Sequence, residues 1–371
     1  MGTKKFRIPK LPFFLVLSNV VTLLLCLNVV FYIDGPAKHF SRAPPLKTDF
    51  PAEFVEYTSP KKLPGGYNSH YRSDTVSYPV GHKCVDLKED LERYMTYEVN
   101  GTCPDDEKIS QRLLLSGCEP LPRRRCHNAG LRGYEEPLPV PDCFWSMPPD
   151  SSVSWTAYTC KDYKCLKNRH RNVGRYDDCI DCFDLNYHEK FRWIGVSNSP
   201  ADFSIDRVLA MKKPGTIRIG LDIGGSSGTF AVRMREKNVT IVATTVNLNG
   251  SPFSNFVASR GIVPLYVSIF QRLPFFDGTL DIVHTMNVLS HLFPDDLFQL
   301  VLFDVYRVLR PGGLFWLDHF FYVGNQLWTV YVPLIETVGF DKLLWVTQRK
   351  LDRGIEKDEM YLSALFQKPM E

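Results

Sequence analysis

Between Phe183 and Glu371 the chain has no cysteine, although it carries ten in all. Cys26 lies in an N-terminal apolar run, and the other nine fall between Cys84 and Cys182. A boundary this sharp implies two regions stabilised in different ways. No charge sign dominates: 44 Lys and Arg face 41 Asp and Glu, a net charge of +3. That balance excludes the strongly basic surface of a dedicated nucleic-acid binder, so nucleic acid is not an expected partner. Disorder throughout is excluded too, because 44% of residues are apolar and 23% charged. No internal repeat is visible, which removes solenoids and propellers. The 371 residues are enough for two ordinary domains.

Residues 11–33 contain no charged side chain. A helix rising about 1.5 Å per residue needs roughly 20 such residues to cross a hydrocarbon core. A cleaved signal has a shorter apolar core and a small-residue cleavage site, and the following DGPAKHF offers none that convinces. Lys4, Lys5, Arg7 and Lys10 precede the run and Asp34 follows it. The positive side stays cytosolic, so the segment reads as a type II signal anchor with the remaining chain in the secretory lumen. A cleaved signal or a buried core helix is the competing reading. The start MGTKKF lacks the Ser or Thr of a myristoylation site. Asn100, Asn238 and Asn249 each open an acceptor triplet for N-glycosylation, the third weakened by Pro252. Dense cysteine agrees with an oxidising lumen.

This divides the chain into a cytosolic tail (1–10), an anchor (11–33), a Pro- and Ser-rich stem (34–83), a cysteine-rich region (84–185) and a cysteine-free domain (186–371). Nine luminal cysteines are an odd number, leaving one free, intermolecular or unusually paired. Cys160, Cys165, Cys179 and Cys182 also have spacings compatible with a four-thiolate zinc site; disulfides rank above zinc in an oxidising lumen. No metal is assigned.

From about residue 186 strands and helices alternate. Strands are expected at 216–223, 239–246, 262–267, 280–284 and 314–317, with a closing pair at 343–347 and 360–366. A short helix at 205–211 leads in. Leu297, Leu300, Val301, Val305, Val308 and Leu309 predict a helix with one apolar face, ended by Pro311-Gly312-Gly313. Such alternation implies an α/β fold with an open, mostly parallel sheet and an antiparallel C-terminal edge.

The strand IRIGLDI runs into Gly224-Gly225-Ser226-Ser227-Gly228. Ligands of open α/β sheets bind beyond the carboxyl ends of the strands, and glycines there let the backbone approach them. The turn is neither a P-loop, since no Lys follows Gly228, nor a G-x-G-x-x-G dinucleotide turn, since Ser226 holds the second glycine position.

The later order, LPFFDGTLDIVHT, then a helix, then RVLRPGGLFWLD, then a strand pair, resembles a class I S-adenosylmethionine-dependent methyltransferase, with a Rossmann-like sheet. The anchor and cysteine-rich region extend the likeness to plant Golgi-type methyltransferases related to the dehydration-responsive and Quasimodo-type proteins linked with pectin. The resemblance implies that Asp222, Gly224, Gly225 and Gly228 surround the cofactor. Asn247 stands where the family commonly ends its second strand with an acid that binds the ribose. The acid often found a few positions before LPF is also missing, with residues 268–271 in its place. Asp281 matches the acid opening the fourth strand, and His284, Thr285 and Asn287 border the transferable methyl.

The implied function is methyl transfer in the Golgi lumen to a cell-wall polysaccharide, with a pectic uronic acid carboxylate as first guess. A carboxylate acceptor needs no general base; a hydroxyl acceptor does, and His319, His284 or His291 are the candidates. The alternative is a catalytically silent scaffold partnering other Golgi enzymes, motivated by the two missing acids.

Overall fold

The computed structural model describes residues 82–370, apart from 120, 122–123, 129, 131–132, 134–144, 170–180, 195–198, 248–250 and 270. The apolar run 11–33, the stem up to 81 and Asn249 lie outside the described residues. Among the described residues no helix is long and apolar enough to cross a membrane.

The cysteine-free part is a seven-stranded sheet in the order β3-β2-β1-β4-β5-β7-β6. Its strands are β1 (Ile219–Ile223), β2 (Thr240–Thr244), β3 (Val263–Leu265), β4 (Leu280–Met286), β5 (Leu309–Val323), β6 (Asp341–Arg349) and β7 (Glu359–Gln367). The first five pair in parallel, while β7 is antiparallel to both β5 and β6. The antiparallel C-terminal edge is therefore present. Central parallel strands are covered on both faces, which is why IGLDI and LDIVHTM are almost entirely buried.

Period-2 alternation divides the strand side chains between two cores. Leu221, Ile223, Val283, Phe315 and Leu317 face one way. Ile241, Ala243, Ile282, Leu314 and Trp316 face the other. Each fully buried aliphatic or aromatic side chain of this kind contributes about 1.5–3 kcal/mol.

Nine helices are described. Upstream of the sheet are α1 (Lys88–Met95), α2 (Glu107–Leu115), α3 (Tyr163–Lys167), α4 (Lys190–Ile194) and α5 (Ile205–Leu209). Within it come α6 (Thr229–Arg235), α7 (Phe253–Ser259), α8 (Asp295–Val308) and α9 (Val332–Val338). A π-helical turn, Leu185–Glu189, runs directly into α4. Helix α8 carries Asp295 and Asp296 in its first turn, where carboxylates complement the helix dipole. Its buried stripe is Phe298, Val301, Leu302, Val305 and Val308. Leu300, expected inside, is 47% exposed because the stripe centres on Phe298 instead.

Pro311-Gly312-Gly313 does not terminate α8. The helix stops at Val308, Leu309 already begins β5, and the Pro-Gly-Gly stretch lies within that strand. Gly312 N–H donates to Lys368 O and Lys368 N–H to Gly313 O, both at 2.9 Å. The C-terminal segment thus extends the ladder across what the sequence presents as a turn.

In the cysteine-rich region Cys84–Cys118, Cys103–Cys126 and Cys160–Cys165 are disulfides. Cys182 is disulfide-bonded as well. The four-thiolate zinc alternative is thereby removed: Cys160 and Cys165 bind each other, and no metal-ligand cluster exists among the described residues. Two small cores support this region, one around Leu91, Tyr94, Met95 and Leu113. The other, built on Tyr163, Leu166 and Phe183, takes in Phe253 and Phe256 of α7 and so joins the region to the sheet domain.

Candidate functional site

Strain collects just beyond the carboxyl ends of β1 and β4 and at a bulge within the neighbouring β5. Ser226, Asn287 and His319 all have left-handed backbones, with φ of 50°, 57° and 52°. Non-glycine residues held there cost of order 1 kcal/mol or more and cluster at ligand sites. Gly224 (φ 70°) and Gly228 (φ 73°) flank Ser226 in the turn after β1. A Cβ on Gly224 would overlap Val288, and one on Gly225 would lie 2.7 Å from Asp222 Oδ2. The turn is pinned to the end of β2, since Gly224 N–H donates to Thr244 Oγ1 and Gly225 N–H to Thr244 O, both at 2.9 Å.

Asp222 lies within β1, two residues before this turn. Its Oδ1 is 2.7 Å from His284 Nδ1 on the neighbouring strand β4, and both side chains are buried. His284 Nε2 lies 3.5 Å from Asp318 Oδ2 on β5. Asp318 is also paired with Arg192 of α4, accepts from Ser363 Oγ at 3.2 Å and meets His319 Nδ1 at 2.6 Å. His319 Nε2 then reaches Asp202 at 3.2 Å. One polar chain crosses β1, β4, β5 and β7 inside an otherwise apolar layer.

The charges follow from the pairing. Burial alone would lower the His284 pKa, but Asp222 and Asp318 outweigh it and raise the value. Its ring stacks on Phe230, with centroids 4.0 Å apart, and Trp316 and Trp193 stand edge-on. Burial also opposes the charge on His319, yet Asp318 and Asp202 raise its pKa to about 9. Asp318 is held well below the usual carboxylate range, burial being overcome by Arg192, His319 and His284. For Asp222 burial prevails and the pKa rises despite His284. His319 is therefore protonated at neutral pH, while His284 has Nδ1 engaged by Asp222 and its buried Nε2 without a hydrogen-bond partner, 3.5 Å from Asp318 Oδ2. His319 and His284, two of the sequence's candidates for a base, are both engaged by carboxylates.

The other expected site residues are spread around the turn. Thr285 is buried, and its Oγ1 has no hydrogen-bond partner among the described residues. Asn287 is exposed, with its backbone N–H on Asp318 O at 3.2 Å. Asn247 is held in place by three protein contacts. Its Nδ2 donates to Glu107 Oε1 and Tyr158 OH, both at 3.1 Å, and its Oδ1 accepts from Ser254 N–H at 3.0 Å. Asp281 is structural: it accepts from Arg218 N–H at 2.6 Å and Ile219 N–H at 3.1 Å and pairs with Arg310.

Several contacts to the turn were not legible in local spacing. Glu189, buried in the π-helical turn, accepts from Ser227 Oγ at 3.1 Å. Arg260 Nη1 donates to Ser227 O at 2.6 Å and to Thr229 Oγ1 at 2.9 Å. Cys182 Sγ lies 2.6 Å from Ser226 Oγ. Two residues of the five-residue turn are thus fixed by side chains from before the sheet.

The residues fit S-adenosylmethionine. The turn must be bare of side chains at Gly224 and Gly225, it sits at the carboxyl ends of central strands, and Thr285 presents an orphaned hydroxyl beside it. Strand order, the antiparallel β7 and a glycine turn after β1 together define a class I methyltransferase.

The comparisons with known proteins agree. A profile described as "Methyltransferase domain" matches residues 221–317. "Probable methyltransferase At1g29790" of Arabidopsis thaliana is 35% identical over 294 residues, 79% of this chain and 72% of that one. "Probable methyltransferase PMT21" of the same plant is 33% identical over 106 residues, 28% of this chain and 17% of that one. A solved SAM-dependent methyltransferase from Methanosarcina mazei aligns with a TM-score of 0.34 at 13% identity, over 42% of this chain and 94% of that one. This chain belongs to the plant methyltransferase family of At1g29790. Its cofactor is S-adenosylmethionine.

Proposed function

We propose that the protein is a type II, single-pass methyltransferase of the Golgi membrane that methylates uronic acid carboxylates of a cell-wall polysaccharide, pectin first among them. The observation that favours this acceptor class is the engagement of two of the three candidate bases: His319 lies between Asp318 and Asp202, and His284 Nδ1 is on Asp222. S-adenosylmethionine, when bound, supplies a methyl group on a sulfonium that an acceptor oxygen displaces in line. A hydroxyl acceptor must lose a proton to a base during that step; a carboxylate arrives ionised and needs none. The chain's own task is then to position the reactants and exclude water. The glycine turn allows close backbone approach, and Thr244 and Glu189 fasten that turn.

The lumen is supported by the uncharged run 11–33 with its basic flank, and by disulfides that require an oxidising compartment. Asn100 and Asn238 are exposed on turns, as glycan acceptors must be.

The test is an assay of the full-length protein in detergent with labelled S-adenosylmethionine. Two acceptors are compared, polygalacturonate and the same polymer with its carboxylates reduced to alcohols. Alkali-labile label on the first alone supports the proposal. Transfer to the reduced polymer alone would overturn it.

A further inference from the structure

The cysteine-rich region places two carboxylates at the two positions where the sheet domain lacks its own. The first vacancy is Asn247, just past β2. Glu107, which opens α2, lies with Oε1 3.1 Å from Asn247 Nδ2. The second vacancy is the stretch before Leu273. There Glu119 Oε2 accepts from Ser268 N–H at 3.1 Å. Gln271 of the same stretch donates to Gly117 O at 2.7 Å, so this contact has a second fastening.

Both vacancies border the cofactor turn. Thr244, two hydrogen bonds from Gly224 and Gly225, ends β2. Thr245 N–H donates to Leu265 O, tying the β2 exit to the β3 exit that leads to Ser268. Adenosine has two groups of donors, the ribose diol and the 6-amino group, and each needs an acceptor. Asn247 is neutral and already spends one lone pair of its oxygen on Ser254 N–H. Glu107 retains Oε2 without a described partner. One turn further along α2, Gln111 donates to Glu107 Oε1 at 2.7 Å and also to Tyr266 OH. Its own Oε1 is buried and has no hydrogen-bond partner. An orphaned buried acceptor beside a carboxylate is what a diol would satisfy.

We infer that the cysteine-rich region completes the cofactor site: Glu107, with Gln111, takes the ribose hydroxyls of S-adenosylmethionine, and Glu119 takes the adenine amino group. The inference rests on membership of the methyltransferase family and not on the acceptor. The two disulfides that staple α1 and α2 then act as part of the cofactor site, since Cys118 precedes Glu119 and Cys103 lies four residues before Glu107.

The test is calorimetric titration of the full-length protein, without acceptor, so that failure of the glycan proposal cannot affect it. The probes are S-adenosylhomocysteine, its 2′,3′-dideoxy analogue and its analogue lacking the 6-amino group. Wild type should prefer the intact ligand over either analogue by about ten- to a hundredfold, the scale of a hydrogen bond to a charged group. Glu107→Gln keeps the shape and an acceptor for Asn247. It should erase the ribose preference and leave the amino preference. Glu119→Gln should do the reverse. Adding Asn247→Asp to Glu107→Gln should restore the ribose preference, because the carboxylate returns to the neighbouring position. A merely structural role would weaken all three ligands alike. That result, or unchanged preferences in both variants, or no preference in wild type, would overturn the inference.

Discussion

Asp222 and His284 face each other across the β1–β4 ladder, oxygen to nitrogen 2.7 Å apart, with no more than 3% of either side chain exposed. The register that pairs them also places Trp316 next in line on β5. The Asp222 carboxyl and the His284 ring thus share a layer with Phe230, Trp193 and Trp316. Such a pair is costly to break singly, because the remaining group stays buried and charged.

Asp222→Ala should therefore destabilise the protein by about 3 kcal/mol. The double replacement Asp222→Leu with His284→Phe should lose less, since no unpaired charge remains. Urea unfolding of the three proteins measures both. Equal loss in single and double variants would show that the pair contributes nothing beyond packing.

His319 predicts the alkaline side of the stability profile. Its folded pKa, about 9, exceeds the unfolded value of about 6.5. The folded state thus binds the proton more tightly, and this stability is complete below about pH 6.5 and lost as pH rises through 9. Roughly 2–3 kcal/mol should disappear over that interval. His319→Gln should flatten the decline. Asp318 works oppositely: its depressed pKa stabilises above about pH 3.9 and fades as acid is added. Melting temperatures between pH 6 and 9.5 for both proteins decide the first point.

Gly225→Ala tests the bare turn. The added methyl would lie 2.7 Å from Asp222 Oδ2 and 3.0 Å from Ala243 Cβ, so the turn must shift. Overpacking of this kind costs about 1–3 kcal/mol. Cofactor affinity should fall at least tenfold, by titration calorimetry, while the protein remains folded by circular dichroism. Gly339→Ala, where an added Cβ meets nothing within 4 Å, should leave affinity unchanged despite its φ of 86°.

The Cys84–Cys118 bridge closes a loop of 34 residues. Replacing both cysteines by serine should cost about 3–4 kcal/mol in a chain-entropy account. Because Glu119 adjoins Cys118, the same variant should bind S-adenosylhomocysteine more weakly. Calorimetry below the melting temperature separates the two effects, and unchanged affinity would uncouple the disulfide from the cofactor site.

Asn100 and Asn238 should carry endoglycosidase-sensitive glycans when the full chain is expressed in plant cells. Gel mobility of Asn100→Gln and Asn238→Gln measures this. Migration unaffected by the enzyme in wild type would count against the luminal topology.

Much of the architecture is written in local pattern. Alternating strands and helices, the Gly224–Gly228 turn and the closing strand pair follow from periodicity and turn chemistry that any short window contains. Even the LPFFDG and RVLRPGG segments have a readable logic. Arg307 of the second donates to Leu273 O at 2.9 Å, Phe275 O at 2.6 Å and Asp277 Oδ1 at 2.9 Å in the first. Pro311-Gly312-Gly313 was misread because its strand partner, Lys368, lies at the far end of the chain, and a local window cannot contain a long-range ladder.

The residue types, the cysteine boundary and the positions lacking an acid were determined by the sequence alone. Tertiary structure decided which groups meet. It set His284 against Asp222 and His319 between Asp318 and Asp202, engaging two candidate bases with carboxylates. It also carried Glu107 and Glu119 to vacancies about 140 and 149 residues away along the chain. Spacing along a chain limits only neighbours within a turn or a strand; contacts between distant segments depend on how whole elements pack.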